Sequence, residues 1–202
     1  MLAAIEVLDK QTYQDMRVTD ICKGAGVSHG LFYHHFQDKQ AITEAVMDAF
    51  MDLVLTRVGD TKDLPSPYAK LFVANHHYIE MYRRNTGVLR VLLSNTESLP
   101  EMKVKLSRIS LQWHSKIATS LSDRMGSRKL SQKDQLLIGY SLGGMADELL
   151  RQVFILRSPN LNEFRPLKAA ADLTEILSIL WYRAIFGTDP DQIAMKEARS
   201  LI

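Results

Sequence analysis

Apolar residues recur every three or four positions along almost the whole chain, and this spacing constrains the fold more than any other feature. Residues at that spacing line one side of an α-helix, whereas a half-buried β-strand alternates apolar and polar residues. Runs that alternate in this way are absent from the sequence. We therefore predict an all-α fold. The stretch 100–124 illustrates the pattern with one apolar face made of Met102, Leu106, Ile109, Trp113, Ile117 and Leu121.

Glycine and proline mostly mark the breaks between these helical stretches. The breaks predict helices at about 2–9, 17–25, 28–35, 39–57, 66–83, 86–95, 100–124, 132–156, 168–186 and 190–200. A chain of 202 residues has room for one large domain, or for one of ordinary size and a small one. We expect a small N-terminal domain over residues 1–48 and a larger helical domain over residues 49–202.

Cysteine content and hydropathy exclude several classes of protein. The single cysteine, Cys22, can form neither an intramolecular disulfide nor a cysteine metal site. No stretch reaches the roughly 18 apolar residues of a membrane-spanning helix, and the first residues lack the basic start of a signal peptide. We therefore expect a cytoplasmic protein that does not enter the membrane.

The net charge of +2 is too small to indicate a polyanionic partner by itself. Residues 1–57 carry five basic and eight acidic side chains, which gives this segment a net charge of −3. If the segment binds nucleic acid, it must do so through a few placed groups and not through a broad basic surface.

The segment from Arg17 to Phe36 has the pattern of two short helices joined by a tight turn. Gly26 stands where a residue in the left-handed conformation would end the first helix. Ser28 can then accept a hydrogen bond from a free N–H group at the start of the second helix. Phe32 and Phe36 lie four residues apart and are expected to face inward. This is the pattern of a helix-turn-helix, within an N-terminal domain of three helices.

The outer face of the second helix suits the major groove of DNA, which accepts one α-helix. Gly30 would let the backbone approach closely, and Tyr33 and His34 can bond phosphate oxygens without a full charge. Arg17, at the start of the first helix, and Lys39, at the start of the next one, would add charged phosphate contacts. The DNA-binding candidates are Arg17, Ser28, His29, Gly30, Leu31, Tyr33, His34 and Lys39.

The run A-G-V-S-H-G-L-F-Y-H-H-F-Q-D-K-Q-A-I, preceded by V-T-D-I, resembles the N-terminal domain of TetR-type transcriptional regulators. Leu31 departs from the family pattern, because a hydroxyl residue often stands there, and a leucine could instead contact a thymine methyl group. Thr12 stands where glycine is usual, and Lys39 matches the lysine that opens the fourth helix. The residues that the resemblance assigns to the recognition helix are Ser28, His29, Gly30, Tyr33 and His34.

The resemblance implies a dimer that binds a palindromic operator in double-stranded DNA and responds to a small-molecule effector, most often as a repressor. We expect the effector to lie between the helix at 39–57 and the face of Trp113, because such pockets are apolar with a few polar groups that orient the ligand. No cofactor is implied. The ligand-binding candidates are Phe50, Phe72, His76, Trp113, His114, Ile117 and Tyr140.

The helix at 168–186 carries an apolar stripe that is wider than one neighbour within the chain should need. We therefore predict that the helices at 132–156 and 168–186 pair across a two-fold axis as a four-helix bundle. Gly143 and Gly144 lie within the first of these helices, where glycine is unfavourable, so they provide room for a neighbouring helix or for a ligand. The residues expected at the dimer interface are Leu173, Ile176, Leu177, Leu180 and Trp181.

Other classes of function find less support in the residues. Adjacent histidines such as His34 and His35 point in different directions on a helix, so a metal site is not expected. The sequence lacks the common motifs of nucleophilic, metal-dependent and phosphate-binding enzymes, so no catalytic residue is expected. Asp147 and Glu148 are expected to form surface pairs with Arg151. The alternative function is a helical protein–protein adaptor whose helix-turn-helix does not bind DNA.

Overall fold

The structure is a computed structural model that describes residues 1–56, 63–94, 131–165 and 169–202, together with 104, 107, 110–112, 114 and 115. These residues form helices and turns without a β-strand, so the predicted all-α fold class is confirmed. The chain divides into two compact units. Unit 1 consists of Met1–Arg57 and Asn85–Ile109, and unit 2 consists of Val58–Arg84 and Ser110–Ile202.

The boundaries of the described helices lie within two residues of the predicted ones, apart from one helix end. The helix predicted at 132–156 is α-helical only to Leu150 and continues as a π-helical turn over Arg151–Ile155. A 3-10 turn follows at Pro159–Phe164, and most of the helix predicted at 100–124 lies outside the described residues. In chain order the described α-helices are α1 (Leu2–Lys10), α2 (Val18–Ala25), α3 (His29–His35), α4 (Lys39–Thr56), α5 (Pro67–Arg84), α6 (Thr86–Ser94), α7 (Gln132–Leu150), α8 (Ala170–Phe186) and α9 (Gln192–Arg199).

Unit 1 is organised around α1, which packs against α2, α4 and α6. α6 follows α5 almost directly in the sequence but belongs to unit 1, so the chain passes between the two units more than once. All of α4 belongs to unit 1. The boundary between two functional domains that was predicted after residue 48 falls within α4 and stays a prediction. The core of unit 1 includes Ala4, Leu8, Ile21, Phe32, Ile42, Val46, Met47 and Val88.

Unit 2 is organised around α5, which packs against α8 and α9. A buried polar seam joins α5 to α8, because Asn75 donates to Ser178 Oγ at 3.0 Å. At the start of α5, the side chains of Tyr68 and Phe72 form a core cluster with Ala198 of α9. None of the described helices is long and apolar enough to cross a lipid bilayer.

Candidate nucleic-acid interface

α2 and α3 are joined by the tight turn that the sequence predicts. Gly26 has a left-handed backbone, with φ of 66°, and the N–H of Val27 closes the end of α2 by donating to Cys22 O at 3.0 Å. Ser28 Oγ then accepts a hydrogen bond from the N–H of Leu31 at 3.2 Å. The serine therefore caps α3, which fixes where this helix begins and which side chains it turns outward.

α3 has one buried face and one exposed face. Phe32 is 4% exposed and its ring centroid lies 5.8 Å from that of Phe36. Tyr33 is 55% exposed, and its ring rests edge-on against Phe32 with centroids 5.3 Å apart. The phenol of Tyr33 is thus held by the core on one side and reaches solvent on the other.

The remaining candidates on α3 also lie on its exposed face. His29, Gly30 and His34 are exposed, and Leu31 is an exposed leucine at 47% of its full accessible area. His29 and Tyr33 lie near each other, with ring centroids 6.5 Å apart. The arrangement offers hydrogen-bonding groups and one apolar side chain to a groove, but no arginine or lysine.

Arg17 is exposed and stands immediately before α2. Its backbone N–H donates to Asp20 Oδ2 at 3.3 Å, which closes the first turn of α2. The guanidinium is therefore carried at the N-terminal end of α2, where the first helix of a helix-turn-helix approaches the phosphate backbone.

Lys39, the other cation predicted to bind phosphate, points into unit 1 and has three backbone partners. Its Nζ donates to the carbonyl oxygens of Tyr13, Gln14 and Met16 at 3.0, 3.1 and 3.2 Å. It also lies 4.8 Å from the centroid of the Tyr13 ring. Lys39 of α4 thus holds the connection between α1 and α2, and its ammonium is already hydrogen-bonded.

The ligand-binding candidates are dispersed. Trp113 and Ile117 lie outside the described residues. Phe50 is buried in unit 1, and Phe72 is buried in unit 2 in the cluster with Tyr68. His76 does not stand free, because its Nδ1 lies 3.4 Å from the Thr174 hydroxyl on α8.

The structure does bring His114 and Tyr140 together. Their rings are stacked with centroids 4.1 Å apart. His114 Nδ1 lies 2.7 Å from Ser110 O, and since a carbonyl can only accept, Nδ1 carries the proton. The opposite edge of the imidazole lies against Gly143, so the glycine makes room for a side chain of its own chain. Gly144, by contrast, faces open space among the described residues.

A polar cluster that the sequence analysis missed lies between α5 and α7. The hydroxyl of Tyr78 donates to the Asp147 carboxylate, and the ring of Tyr82 lies 5.4 Å from that of Tyr78. Burial raises the pKa of the Asp147 carboxyl, although hydrogen bonds from both tyrosines oppose this shift. The predicted surface pair of Asp147 is therefore wrong, whereas Glu148 does pair with Arg151 at 2.8 Å. The spacing of Tyr78 and Tyr82, four residues apart on α5, is the sequence feature that could have indicated this cluster.

The apolar stripe on α8 is divided between two environments. Leu173, Leu177 and Trp181 are buried within unit 2. Ile176 and Leu180 remain 46% and 40% exposed. Three of the five residues predicted at the dimer interface are therefore covered within the chain, and the interface itself stays a prediction.

In the described residues, a helix capped by Ser28 follows a tight turn and exposes His29 and Tyr33, which is the arrangement of a helix-turn-helix. Residues 1–46 match the family model described as bacterial regulatory proteins, tetR family. The N-terminal part of the chain is thus similar to this family of regulatory proteins.

Two curated relatives match the chain over different lengths. The regulator EthR of Mycolicibacterium smegmatis is 22% identical over 193 residues, which cover 94% of this chain and 86% of EthR. BetI of Ectopseudomonas mendocina is 35% identical over 72 residues, 34% of this chain and 37% of BetI. These relatives are both HTH-type transcriptional regulators.

Two solved structures illustrate the likeness of fold. A transcriptional regulator from Rhodococcus sp. Rha1 has a TM-score of 0.72 and 18% identity, over 91% of this chain and 94% of its own. The fatty acid degradation regulator FadR from Bacillus halodurans has a TM-score of 0.57 and 19% identity, over 85% of this chain and 90% of its own. At these identities the similarity shows the fold.

Proposed function

We propose that this regulator is a cytoplasmic, non-enzymatic repressor that binds an inverted-repeat operator as a homodimer and leaves it when a small molecule binds. The observation that carries the DNA-binding part is α3, capped by Ser28 and turning His29 and Tyr33 to solvent. Two such helices in a symmetric dimer would enter successive major grooves about 34–36 Å apart.

Salt dependence tests DNA binding directly. Phosphate contacts release counterions, so the logarithm of the binding constant should fall linearly with the logarithm of salt concentration. The probe is the duplex that the wild-type protein recovers from a random-sequence pool, called the selected duplex below. An adaptor protein would recover no duplex and show no salt-dependent binding, so the same experiment decides between the two functions.

The exposed side chains of α3 should divide into phosphate-binding and base-reading groups. Tyr33→Ala should weaken binding to the selected duplex and to its scrambled version alike, because phosphates carry no base identity. His29→Ala should reduce the preference for the selected duplex by about 1–3 kcal/mol, the value of a good base contact. Fluorescence anisotropy with both duplexes measures these changes.

Tyr33→Phe is the matched control, since it keeps the ring that packs against Phe32 and removes only the hydroxyl. It should weaken binding nearly as much as Tyr33→Ala if the hydroxyl bonds a phosphate. An equal loss for both duplexes in His29→Ala would contradict its base-reading role.

The proposed dimer interface is formed by exposed apolar residues of α7 and α8. Ile176 and Leu180 lie one turn apart on α8, and Leu137 and Met145 are exposed on α7. Such apolar side chains on two long helices support pairing with a second copy of the chain in a four-helix bundle.

Leu180→Ala should raise the dissociation constant of the dimer roughly tenfold, because a two-fold axis removes two half-exposed leucines from the interface at once. Ile193→Ala is the control, since Ile193 is also exposed but lies on α9. Sedimentation velocity over a dilution series measures both variants. A wild-type protein that stays monomeric at micromolar concentration, or equal effects of the two substitutions, would contradict this interface.

The effector is proposed to bind in the larger domain, with His114 and Tyr140 among the groups that orient it. Their stack and the neighbouring Asp147 supply polar atoms within apolar surroundings, as ligand sites require. An effector can release DNA only through unequal affinity for the free and the DNA-bound conformation, and such coupling is typically about 1–3 kcal/mol. A thermal-shift screen of small molecules, followed by release assays on the selected duplex, tests this part.

A further inference from the structure

The connection between α1 and α2, residues 11–17, is held by bonds among its own side chains and by side chains of α2 and α4. Asp20 Oδ2 accepts hydrogen bonds from Gln11 Nε2 and from the N–H of Arg17, both at 3.3 Å. Thr12 and Asp15 bond each other, with the threonine hydroxyl donating to Asp15 Oδ2 at 2.6 Å. Met16 is fully buried. We call residues 11–17 the α1–α2 loop.

Lys39, at the start of α4, holds the same loop from another helix. A lysine ammonium has three N–H donors and no acceptor. All three are used, because Nζ lies within hydrogen-bond distance of the carbonyl oxygens of Tyr13, Gln14 and Met16. The Tyr13 ring lies beside the same ammonium. A phosphate oxygen could be bound only by giving up one of these bonds.

We propose that Lys39 is a positioning residue. It fixes the α1–α2 loop, and through it the guanidinium of Arg17 at the start of α2, while Arg17 itself makes the phosphate contact. The loop ends directly at Arg17, so any movement of the carbonyls of residues 13, 14 and 16 displaces the backbone that carries this side chain. The inference rests on the proposed DNA-binding function.

The geometry of the site requires lysine and not positive charge alone. Three carbonyls converge on one point, which suits a compact ammonium with three rotatable donors. The guanidinium of arginine is planar and spreads its donors in a rigid fork, which suits a phosphate or carboxylate instead. Arginine at position 39 would thus be a good phosphate ligand and a poor substitute for lysine in the loop.

Salt dependence with the selected duplex separates the two roles. Each phosphate contact contributes a slope of about 0.9. Arg17→Ala should lower the slope by about 0.9, Lys39→Met should do the same, and the double variant should lose no more than either single variant. Lys39→Arg should behave as Lys39→Met does. The neighbouring Gln40→Ala, which removes only a bond to Glu44, should leave the slope unchanged.

Two results would overturn the proposal. One is a double variant that loses about 1.8 from the slope, since this means two independent phosphate contacts. The other is a Lys39→Arg variant that keeps the full wild-type slope. If Lys39→Met does not fold at the working temperature, Lys39→Arg alone decides between the two roles.

A measurement without DNA makes failure of this proposal distinguishable from failure of the proposed function. The N–H of Met16 donates to Thr12 O at 3.1 Å within the loop, so its hydrogen exchange reports whether the loop is held. Exchange at Met16 should become faster in both Lys39 variants and stay unchanged in Gln40→Ala. Unchanged exchange in the Lys39 variants refutes positioning whether or not DNA is bound. A wild-type protein that recovers no duplex refutes the DNA-binding function instead.

Discussion

Gly143→Ala is expected to lower the free energy of unfolding by about 2 kcal/mol, because the new methyl group would overlap a side chain that cannot easily move. The added carbon would lie 2.2 Å from Nε2 and 2.4 Å from Cδ2 of His114. The imidazole is held by its bond to Ser110 O and by its stack on Tyr140. Overpacking costs about 1–3 kcal/mol, and an overlap with a side chain held on two sides lies near the upper end of that range. Alanine regains up to about 1 kcal/mol of helix propensity, which leaves a net loss of about 2 kcal/mol.

Gly144→Ala is the matched control for this prediction. Gly144 is the next residue on α7, and a methyl group there meets no described atom within 4 Å. Its substitution should therefore raise the free energy of unfolding by up to about 1 kcal/mol through helix propensity. Urea denaturation, followed by circular dichroism, measures both variants. Equal stabilities of the two single variants would show that His114 does not occupy the space beside Gly143.

A second comparison identifies the side chain responsible for the clash. In a His114→Ala background the overlap is removed, so Gly143→Ala should become neutral or mildly stabilising. If Gly143→Ala remained equally destabilising without the imidazole, another neighbour would have to be the cause.

The helices and the helix-turn-helix were predictable because local rules determine them. Apolar spacing, glycine at the end of α2 and serine at the start of α3 act within one or two turns of the chain. The capping bond from Leu31 to Ser28 spans three residues. Structural features that depend on residues within a few positions of each other can be predicted from the sequence. The helix boundaries agree with the predictions for that reason.

Contacts between distant residues were not predictable from spacing. Periodicity shows that Leu173, Leu177 and Trp181 share a face of α8, but it does not show which partner covers that face. α5 packs against α8, and the bond from Asn75 to Ser178 joins residues 103 positions apart. Most of a stripe that is wider than one neighbour should need is therefore covered within the chain.

The candidate site shows the same division between local and distant information. The outward direction of Tyr33 follows from the inward direction of Phe32, so the sequence was sufficient for α3. The partners of Lys39 lie 23 to 26 residues earlier in the chain, where no local pattern marks a carbonyl as an acceptor. For Gly143 the sequence indicated a close approach by a neighbouring helix or by a ligand, and the neighbour is His114, a helical residue of the same chain.

The contact between α6 and α1 leads to the second prediction of large effect. The N–H of Gly87 donates to Asp9 Oδ1 at 2.9 Å, which places a carboxylate at the N-terminal end of α6. A methyl group on Gly87 would lie 2.5 Å from the carbonyl carbon of Leu8 and 2.6 Å from the backbone nitrogen of Asp9. Both are backbone atoms of the last turn of α1, so no change of rotamer can relieve the overlap.

Gly87→Ala is therefore expected to destabilise unit 1 by about 3 kcal/mol, at the upper end of the cost of overpacking. α6 would have to move away from α1 as a whole and would lose the bond to Asp9. Gly24→Ala is the matched control, since a methyl group on Gly24 also faces α1 but would lie at an ordinary 3.4 Å from the Ala3 side chain. Thermal unfolding and binding to the selected duplex should both be impaired in Gly87→Ala and preserved in Gly24→Ala.

The nature of the obstacle distinguishes this contact from the one at Gly143. At Gly143, removal of the His114 side chain should abolish the destabilising effect of Gly143→Ala, because the clash is with a side chain. At Gly87, an Asp9→Ala background removes the carboxylate and leaves the backbone clash with Leu8 and Asp9 in place, so the cost of Gly87→Ala should persist. Since α1 also packs against α2, the loss of support from α6 should weaken DNA binding even at temperatures where the variant remains folded. If Gly87→Ala lost its cost in the Asp9→Ala background, or if a Gly87→Ala protein of reduced stability kept wild-type DNA affinity, this account of how α6 supports α1 and α2 would be wrong.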